Sequence, residues 1–233
     1  MSTLFLVRHA QASFLSDDYD RLSELGIDQS RQLGRYLAGL ERTVDAVFVG
    51  PRRRHAHTAE AALEQLPGPA PECLHELDEY PAEAVLQARI GALIAARPEL
   101  EALSRDVADP DRTRRGRALD LLLREALRDW STRHDATEAH ESWSGFRGRV
   151  RAALERLTRD PGRGRRVLVV SSAGTIGALV AEVLGAPAAT ALELGFMLNN
   201  SAVTEIAYSP GRTSLARFNV LAHLPDPGHW TRR

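Results

Sequence analysis

The feature that most constrains this chain is a set of short, unbroken apolar runs set between longer amphipathic segments. Thr3 to Val7 (TLFLV), Ala46 to Val49 (AVFV) and Val167 to Val170 (VLVV) are too short for helices and lack the polar alternation of a half-exposed strand. Runs of that kind are strands covered on both faces, as in a parallel sheet. Between the first two, Leu22, Leu25, Leu33, Tyr36, Leu37 and Leu40 fall on roughly one helical face, with Ser23 placed as N-cap. Strand, helix and strand in that order make a βαβ unit. His57 to Leu66 reads as another helix, closed by Pro67-Gly68-Pro69, and Thr175 to Leu184 as a third, ending at Gly185. Ser201 to Tyr208 and Thr213 to Val220 alternate around Ser209-Pro210-Gly211-Arg212, a hairpin signal. The expected fold class is α/β: three layers, with a mostly parallel mixed sheet flanked by helices.

Asp78 to His140 departs from this grammar. It offers only helical patterns, Ala82 to Ala96 and Arg115 to Arg133, joined by the polar stretch Asp106 to Arg114. It reads as a helical cap inserted into a single domain spanning residues 1–233. Ser142 to Leu157, with Phe146, Val150, Leu154 and Leu157 at helical spacing, returns the chain to the core.

Composition excludes several function classes. The 30 basic residues, all arginine, face 31 acidic ones, so a formal charge of -1 leaves no global attraction to nucleic acid or an anionic membrane. Arg163 to Arg166 and Arg112 to Arg117 lack interleaved aromatics and lie near acidic residues, as solvated loop and cap charges do. The single cysteine, Cys73, rules out an intrachain disulfide, fits a reducing compartment and reads as a small semi-buried apolar residue without a redox role. No stretch has the h-region of a signal peptide or the ~20 apolar residues of a membrane span. A soluble, cytoplasmic protein is expected.

Function then depends on what stands at the strand ends, where α/β sheets bind ligands and helix N-termini point their positive ends. Arg8-His9-Ala10-Gln11 follows the first strand, Gly50-Pro51-Arg52-Arg53-Arg54 the second, and Ser171-Ser172-Ala173-Gly174-Thr175 the later one. Two guanidinium groups, backbone N–H donors and an imidazole, with no plausible metal set, suit a phosphate monoester. The guanidinium fork matches phosphate oxygens, and a neutral imidazole attacks phosphorus. The spacing of His55 and His57 beside Arg54 does not make a metal site. Gly174-Thr175 lacks the companion glycines of a nucleotide-binding turn.

Leu6-Val7-Arg8-His9-Ala10-Gln11 resembles the RHG signature of the histidine phosphatase superfamily, the phosphoglycerate mutase-like proteins. The resemblance runs along nearly the whole chain. Gly50 to Ala59 resembles the S-P-x-x-R-A-x-x-T-A segment, which makes Arg54 the second phosphate-binding arginine. Leu74-His75-Glu76 resembles the L-x-E element carrying the proton donor, here Glu76. Val170 to Ile176 resembles V-S-H-G-G-T-I, and Asn200 to Thr204 with Asn219 to Leu224 resemble the C-terminal strands. The resemblance implies a phosphoglycerate mutase-like fold and no cofactor. It implies a phosphohistidine formed at His9, with Arg8 and Arg54 neutralising the phosphoryl oxygens and Glu76 protonating the leaving alkoxide. A protonated Glu76 makes the activity lean mildly acidic. His223, in the N-x-x-x-H-L tail, is a structural or supporting partner, and Gln11 stands within reach of the phosphate or of solvent. The substrate class is a small phosphorylated metabolite; a dimer through a sheet edge or the cap is compatible with the sequence.

The departures from the pattern fall in the pocket. Ala10 replaces a glycine, Gly50 a serine, and Ser172 the second histidine, a phosphoryl-binding donor whose loss typically costs on the order of 10² to 10³ in rate. Two accounts follow. Ser172, with the backbone N–H groups of Ala173 and Gly174 at a helix start, cradles the anion well enough for weak or specialised turnover. Alternatively, the chain has kept phosphate-ester binding and lost hydrolysis. Mutase activity of the phosphoglycerate type also stays open, because the cap decides between mutase and phosphatase.

Overall fold

A computed structural model of the protein describes residues 1–13, 20–41, 43–133, 140–160, 162 and 164–232. The chain forms two compact units: Met1–Glu79 with Arg149–Arg233, and Tyr80–Gly148.

The first unit is built on one six-stranded sheet. In chain order it contains β1 (Ser2–Arg8), α1 (Glu24–Glu41), β2 (Ala46–Val49), α2 (Arg53–Leu63) and β3 (Glu72–Cys73). After the second unit come β4 (Arg166–Ser171), α7 (Ala173–Leu184), α8 (Ala188–Met197), β5 (Val203–Ser209) and β6 (Arg212–Val220). The strand order is β3-β2-β4-β1-β5-β6. The first four strands are mutually parallel, and β5 runs antiparallel to both β1 and β6. The mixed, mostly parallel sheet expected from the apolar runs is therefore present.

Both faces of the central strands are covered, which is why those strands carry no polar alternation. Phe5, Val7, Val47, Val49, Leu168 and Val170 pack with Leu33 and Leu37 of α1 and Ala59 and Ala62 of α2. Leu4, Leu6, Val167 and Val169 point the other way by the period of two and are equally inaccessible. Full burial of such side chains contributes roughly 1.5–3 kcal/mol each. Ser23 caps α1 as expected: its Oγ accepts from the Gly26 N–H at 3.0 Å. α7 ends at Gly185, whose φ of +61° is the left-handed turn that favours glycine.

Several expectations need correction: the helix expected from Arg115 starts at Arg112, and α7 starts at Ala173 rather than Thr175. α2 starts at Arg53 rather than His57, so Arg54 and His55 stand in its first turn. Leu40 is half exposed in the last turn of α1. Cys73 is exposed, because β3 is the short edge strand of the sheet. α8 was not expected; Pro187 precedes its first residue, and the fixed ring suits a helix entry.

The second unit is helical. It comprises α3 (Ala82–Ala96), α4 (Leu100–Asp106), α5 (Arg112–Thr132) and the start of α6 (Trp143–Thr158), which continues into the first unit. α3 has the bounds read from the sequence, and α4 is an added helix. Trp130 of α5 centres the core, 5.1 Å from the Trp143 ring and 6.0 Å from Phe146 between centroids, and its Nε1–H donates to the Glu141 carbonyl at 3.2 Å. Asp111 caps α5, accepting from the N–H groups of Thr113 and Arg114. Among the described residues no helix is long and apolar enough to cross a membrane.

Candidate active site

The parallel register fixes the site. Arg8 lies opposite Ser171, and Val49 opposite Val170, so His9, Ser172 and Gly50 leave the sheet from neighbouring strands. The His9 N–H donates to the Ser171 carbonyl at 2.8 Å and the Gly50 N–H to the Val170 carbonyl at 3.0 Å, which carries the pairing past the strand ends.

His9 is held almost entirely by main chain. Its Nδ1 lies 2.8 Å from the Ala10 carbonyl oxygen. A carbonyl only accepts, so the proton sits on Nδ1 and Nε2 keeps its lone pair. The His9 carbonyl accepts from Asn200 Nδ2 at 3.1 Å and from the Ser201 N–H at 3.3 Å. Burial, then the positive charges of Arg8 and Arg54 and the neighbouring His55, hold the His9 imidazole well below its usual pKa. The result is a neutral ring with an available nitrogen, the state a nucleophilic histidine requires.

The two arginines whose charges reach this ring differ in engagement. Arg8 donates through Nη1 to the Leu198 carbonyl at 2.6 Å and through Nη2 to the Arg232 carbonyl at 2.7 Å. Arg54, only 9% exposed, donates through Nη1 to Asp20 Oδ1 at 2.7 Å; the other Asp20 oxygen accepts from the Arg53 N–H. α2 is fastened to the end of β1 by Thr58, whose Oγ1 accepts from the Ala10 N–H and donates to the Arg54 carbonyl. Arg52 turns to Asp78.

Ser172, at the start of α7, meets a histidine from another element. His55 Nε2 lies 2.8 Å from Ser172 Oγ, and the His55 ring centroid is 5.7 Å from that of His9. Burial, followed by the Arg54 charge, lowers the His55 pKa to about 3, so this ring is neutral too. Ala173 opens α7, but the next N–H of the expected cradle, that of Gly174, donates to Glu79 Oε2 at 3.0 Å.

The remaining expected residues are placed as follows. Glu76 lies in the single turn His75–Leu77, its carboxylate 3.5 Å from Arg156 Nη1 of α6. The Gln11 side-chain oxygen accepts from Ser23 Oγ at 2.8 Å, so this amide braces the entry to α1. His223 Nε2 pairs with Ser201 Oγ at 2.9 Å, and burial lowers its pKa to about 4; it supports the residue that holds the His9 carbonyl. His57 is half-buried and, among the described residues, hydrogen-bonds to none of these groups. Among the described residues no group of three or more His, Cys, Asp or Glu has the arrangement of a metal site.

A family model described as "Histidine phosphatase superfamily (branch 1)" matches residues 4–120 and 116–221. The chain belongs to the histidine phosphatase superfamily. Solved structures share its fold at low identity. YhfR from Bacillus stearothermophilus aligns with a TM-score of 0.64 and 19% identity, covering 96% of this chain and 99% of its own. The alpha-ribazole phosphatase from Shigella flexneri gives 0.60 and 20%, covering 94% and 96%. A phosphoserine phosphatase from Entamoeba histolytica gives 0.62 and 16%, covering 96% and 100%. No curated protein matches.

Three residues that meet the candidate site residues escape a motif-based reading: Asp20, His55 and Glu79. Asp20 sits in an acidic stretch with no fixed spacing to Arg54. His55 stands at the alanine of the family segment, where no function is expected. Glu79 had a visible signal, since Leu77-Asp78-Glu79 repeats the L-x-E spacing three residues after Leu74-His75-Glu76.

Proposed function

We propose that the protein is a phosphomonoester hydrolase that works through a phosphohistidine at His9 on a small phosphorylated metabolite. The observation that carries this reading is the His9 ring: buried, neutral, with its Nδ1 proton committed to the Ala10 carbonyl and Nε2 left to attack. Arg54 holds the Asp20 carboxylate, a pair of anionic oxygen acceptors of the kind a phosphoryl group would replace on the same fork. Arg8 adds charge beside the nucleophile.

In the first step the His9 Nε2–phosphorus bond forms as the bond from phosphorus to the leaving oxygen breaks, and a carboxyl group gives that oxygen its proton. In the second, water attacks phosphorus, returns a proton to the carboxylate and releases phosphate as the N–P bond breaks. Positioning and charge stabilisation supply the rate in such transfers. The acid is Glu79 in this reading. Its carboxylate touches the start of α7 beside Ser172, whereas that of Glu76, the residue matched by the first L-x-E, turns to Arg156. The names of two structural neighbours, alpha-ribazole phosphatase and phosphoserine phosphatase, agree with a small phosphomonoester. The acid-phosphatase subtype, the reading of residues 78–140 as an inserted helical cap and a cytoplasmic location belong to the same proposal.

The test is phosphate release from p-nitrophenyl phosphate, phosphoserine and sugar phosphates between pH 5 and 8, with wild type beside His9→Ala. The expected outcome is turnover that favours the acidic side, an acid-labile phosphoryl-enzyme in the wild type, and neither in the variant. A rate that is flat over this range contradicts the acid role of the carboxyl group. Silence from both proteins, with phosphate or vanadate still bound by the wild type, replaces hydrolase with phosphate-ester-binding module. Isomerised phosphoglycerate without released phosphate indicates a mutase.

A further inference from the structure

His55 is a buried imidazole that the mechanism above leaves unused. It has no solvent exposure, sits in the first turn of α2, and approaches two groups of the site: Ser172 Oγ at 2.8 Å from its Nε2, and the His9 ring at 5.7 Å between centroids. Its Nδ1 faces the Gly50 backbone, an acceptor contact that raises the ring's pKa but falls short of full hydrogen-bond geometry. A neutral imidazole has one N–H and one lone pair. With the proton on Nδ1 the ring turns it to Gly50 and accepts the Ser172 hydroxyl proton on Nε2; with the proton on Nε2 it donates to Ser172 Oγ, and the serine hydroxyl directs its own proton away from His55. A phosphoryl group beside the hydroxyl would select the second arrangement, because only that one offers it a donor.

Room for this ring comes from Gly50. A Cβ at that position would overlap His55 Nδ1 and stand 2.7 Å from the Leu77 carbonyl oxygen and 2.9 Å from His55 Cε1. No side chain fits there while His55 holds its place. Gly50, His55 and Ser172 thus form one packing unit drawn from three elements. They are also three of the positions at which the chain departs from the superfamily motifs: glycine for serine, histidine for alanine, serine for histidine. Three departures that looked independent in the sequence meet at a single point.

We propose that His55 is a positioning residue that acts through Ser172, turning the Ser172 hydroxyl into a fixed hydrogen-bond donor to the phosphoryl group transferred at His9. The inference rests on the phosphatase reading. It makes the change at position 172 a relocation of the imidazole from the β4–α7 turn to α2, rather than a loss.

The experiment is steady-state kinetics on p-nitrophenyl phosphate, with phosphohistidine trapping and a check of folding by circular dichroism. Ser172→Ala and His55→Leu should each lower kcat by about 10²-fold and leave KM within about threefold. The double variant should be no slower than the worse single one, because the pair acts as a unit. His55→Gln places an amide N–H where Nε2–H stood and should recover most of the lost rate, which a purely space-filling role would not predict. Ser172→His alone puts two imidazoles in one space and should lose activity; with His55→Ala added it should regain it. A folded His55→Leu with wild-type kcat, or losses that add in the double variant, overturns the proposal. Should His55→Leu not fold, a Ser172→Ala enzyme with wild-type kcat overturns it as well. A wild type that neither forms phosphohistidine nor releases phosphate removes the phosphatase reading and this inference together, whereas an active enzyme indifferent to His55→Leu removes only the inference.

Discussion

The ends of β1 and β4 lie side by side in register, yet they are held in different ways. At the end of β1, His9 is fixed mainly by backbone: the Ala10 carbonyl on Nδ1, the Ser171 carbonyl on its N–H and the Ser201 N–H on its carbonyl, with the Asn200 side-chain amide as a second donor to that carbonyl. At the end of β4, Ser172 is fixed by a side chain 117 residues away in sequence, His55. The difference teaches that a ring nitrogen can be fixed by the carbonyl of the very next residue, while a hydroxyl, free to rotate, needs a second side chain to aim it. The first kind of arrangement tolerates change around it. The second fails when any one of its members changes.

The largest effect that sharpens this contrast, beyond loss of His9 itself, concerns the proton donor. Glu79→Gln should lower kcat for an alkyl phosphate by about 10² to 10⁴, with a much smaller loss for the good leaving group of p-nitrophenyl phosphate, while Glu76→Gln stays within a few-fold of wild type. The opposite ranking would return the acid role to Glu76. Next comes Arg54→Ala, which removes a charged donor at the start of α2 and should cost about 10² to 10³ in kcat/KM; Arg54→Lys keeps the charge but loses the fork and should recover only part of it. An Arg54→Ala enzyme within tenfold of wild type would mean that Arg8 alone carries the phosphoryl charge.

A further effect is on stability and follows from the neutral histidines at both strand ends. In the folded state His55 titrates at about 3 and His223 at about 4, and His9 well below its usual value, whereas unfolded imidazoles take up protons near 6.5. The unfolded chain then binds more protons, so the contribution is fully present above about pH 6.5 and is lost as pH falls towards the folded values. Each histidine should steepen the loss by about 1.4 kcal/mol per pH unit within that window. Denaturant unfolding at pH 7, 6, 5 and 4 measures it, and His55→Gln should flatten the acid side by one such share. Equal slopes for the two proteins would show that His55 is not held neutral by the fold.

Much of the fold was legible because its signals are local. The run TLFLV needs both faces covered wherever it lies, Ser23 caps α1 through an oxygen three residues from its partner N–H, and Gly185 supplies the left-handed residue that ends α7. The start of α2 was missed for a local reason as well: Arg52, its N-cap, makes no side-chain cap hydrogen bond, so three arginines after Pro51 read as loop. Cys73 was misplaced because edge position depends on strand order, which no single residue encodes.

For the site, the sequence by itself determined that Arg8 and His9 end a buried strand and that Arg54 and Ser172 follow two others, because strand ends and helix starts are set by contacts a few residues apart. Tertiary structure alone decided which groups meet. The register Arg8 to Ser171 and Val49 to Val170 brings Gly50, His55 and Ser172 to one point, and turns the second L-x-E, not the first, towards α7. The physical reason is reach: a hydrogen bond of 2.8 Å between side chains 117 residues apart exists only after the strands have paired, and no periodicity in the chain announces it.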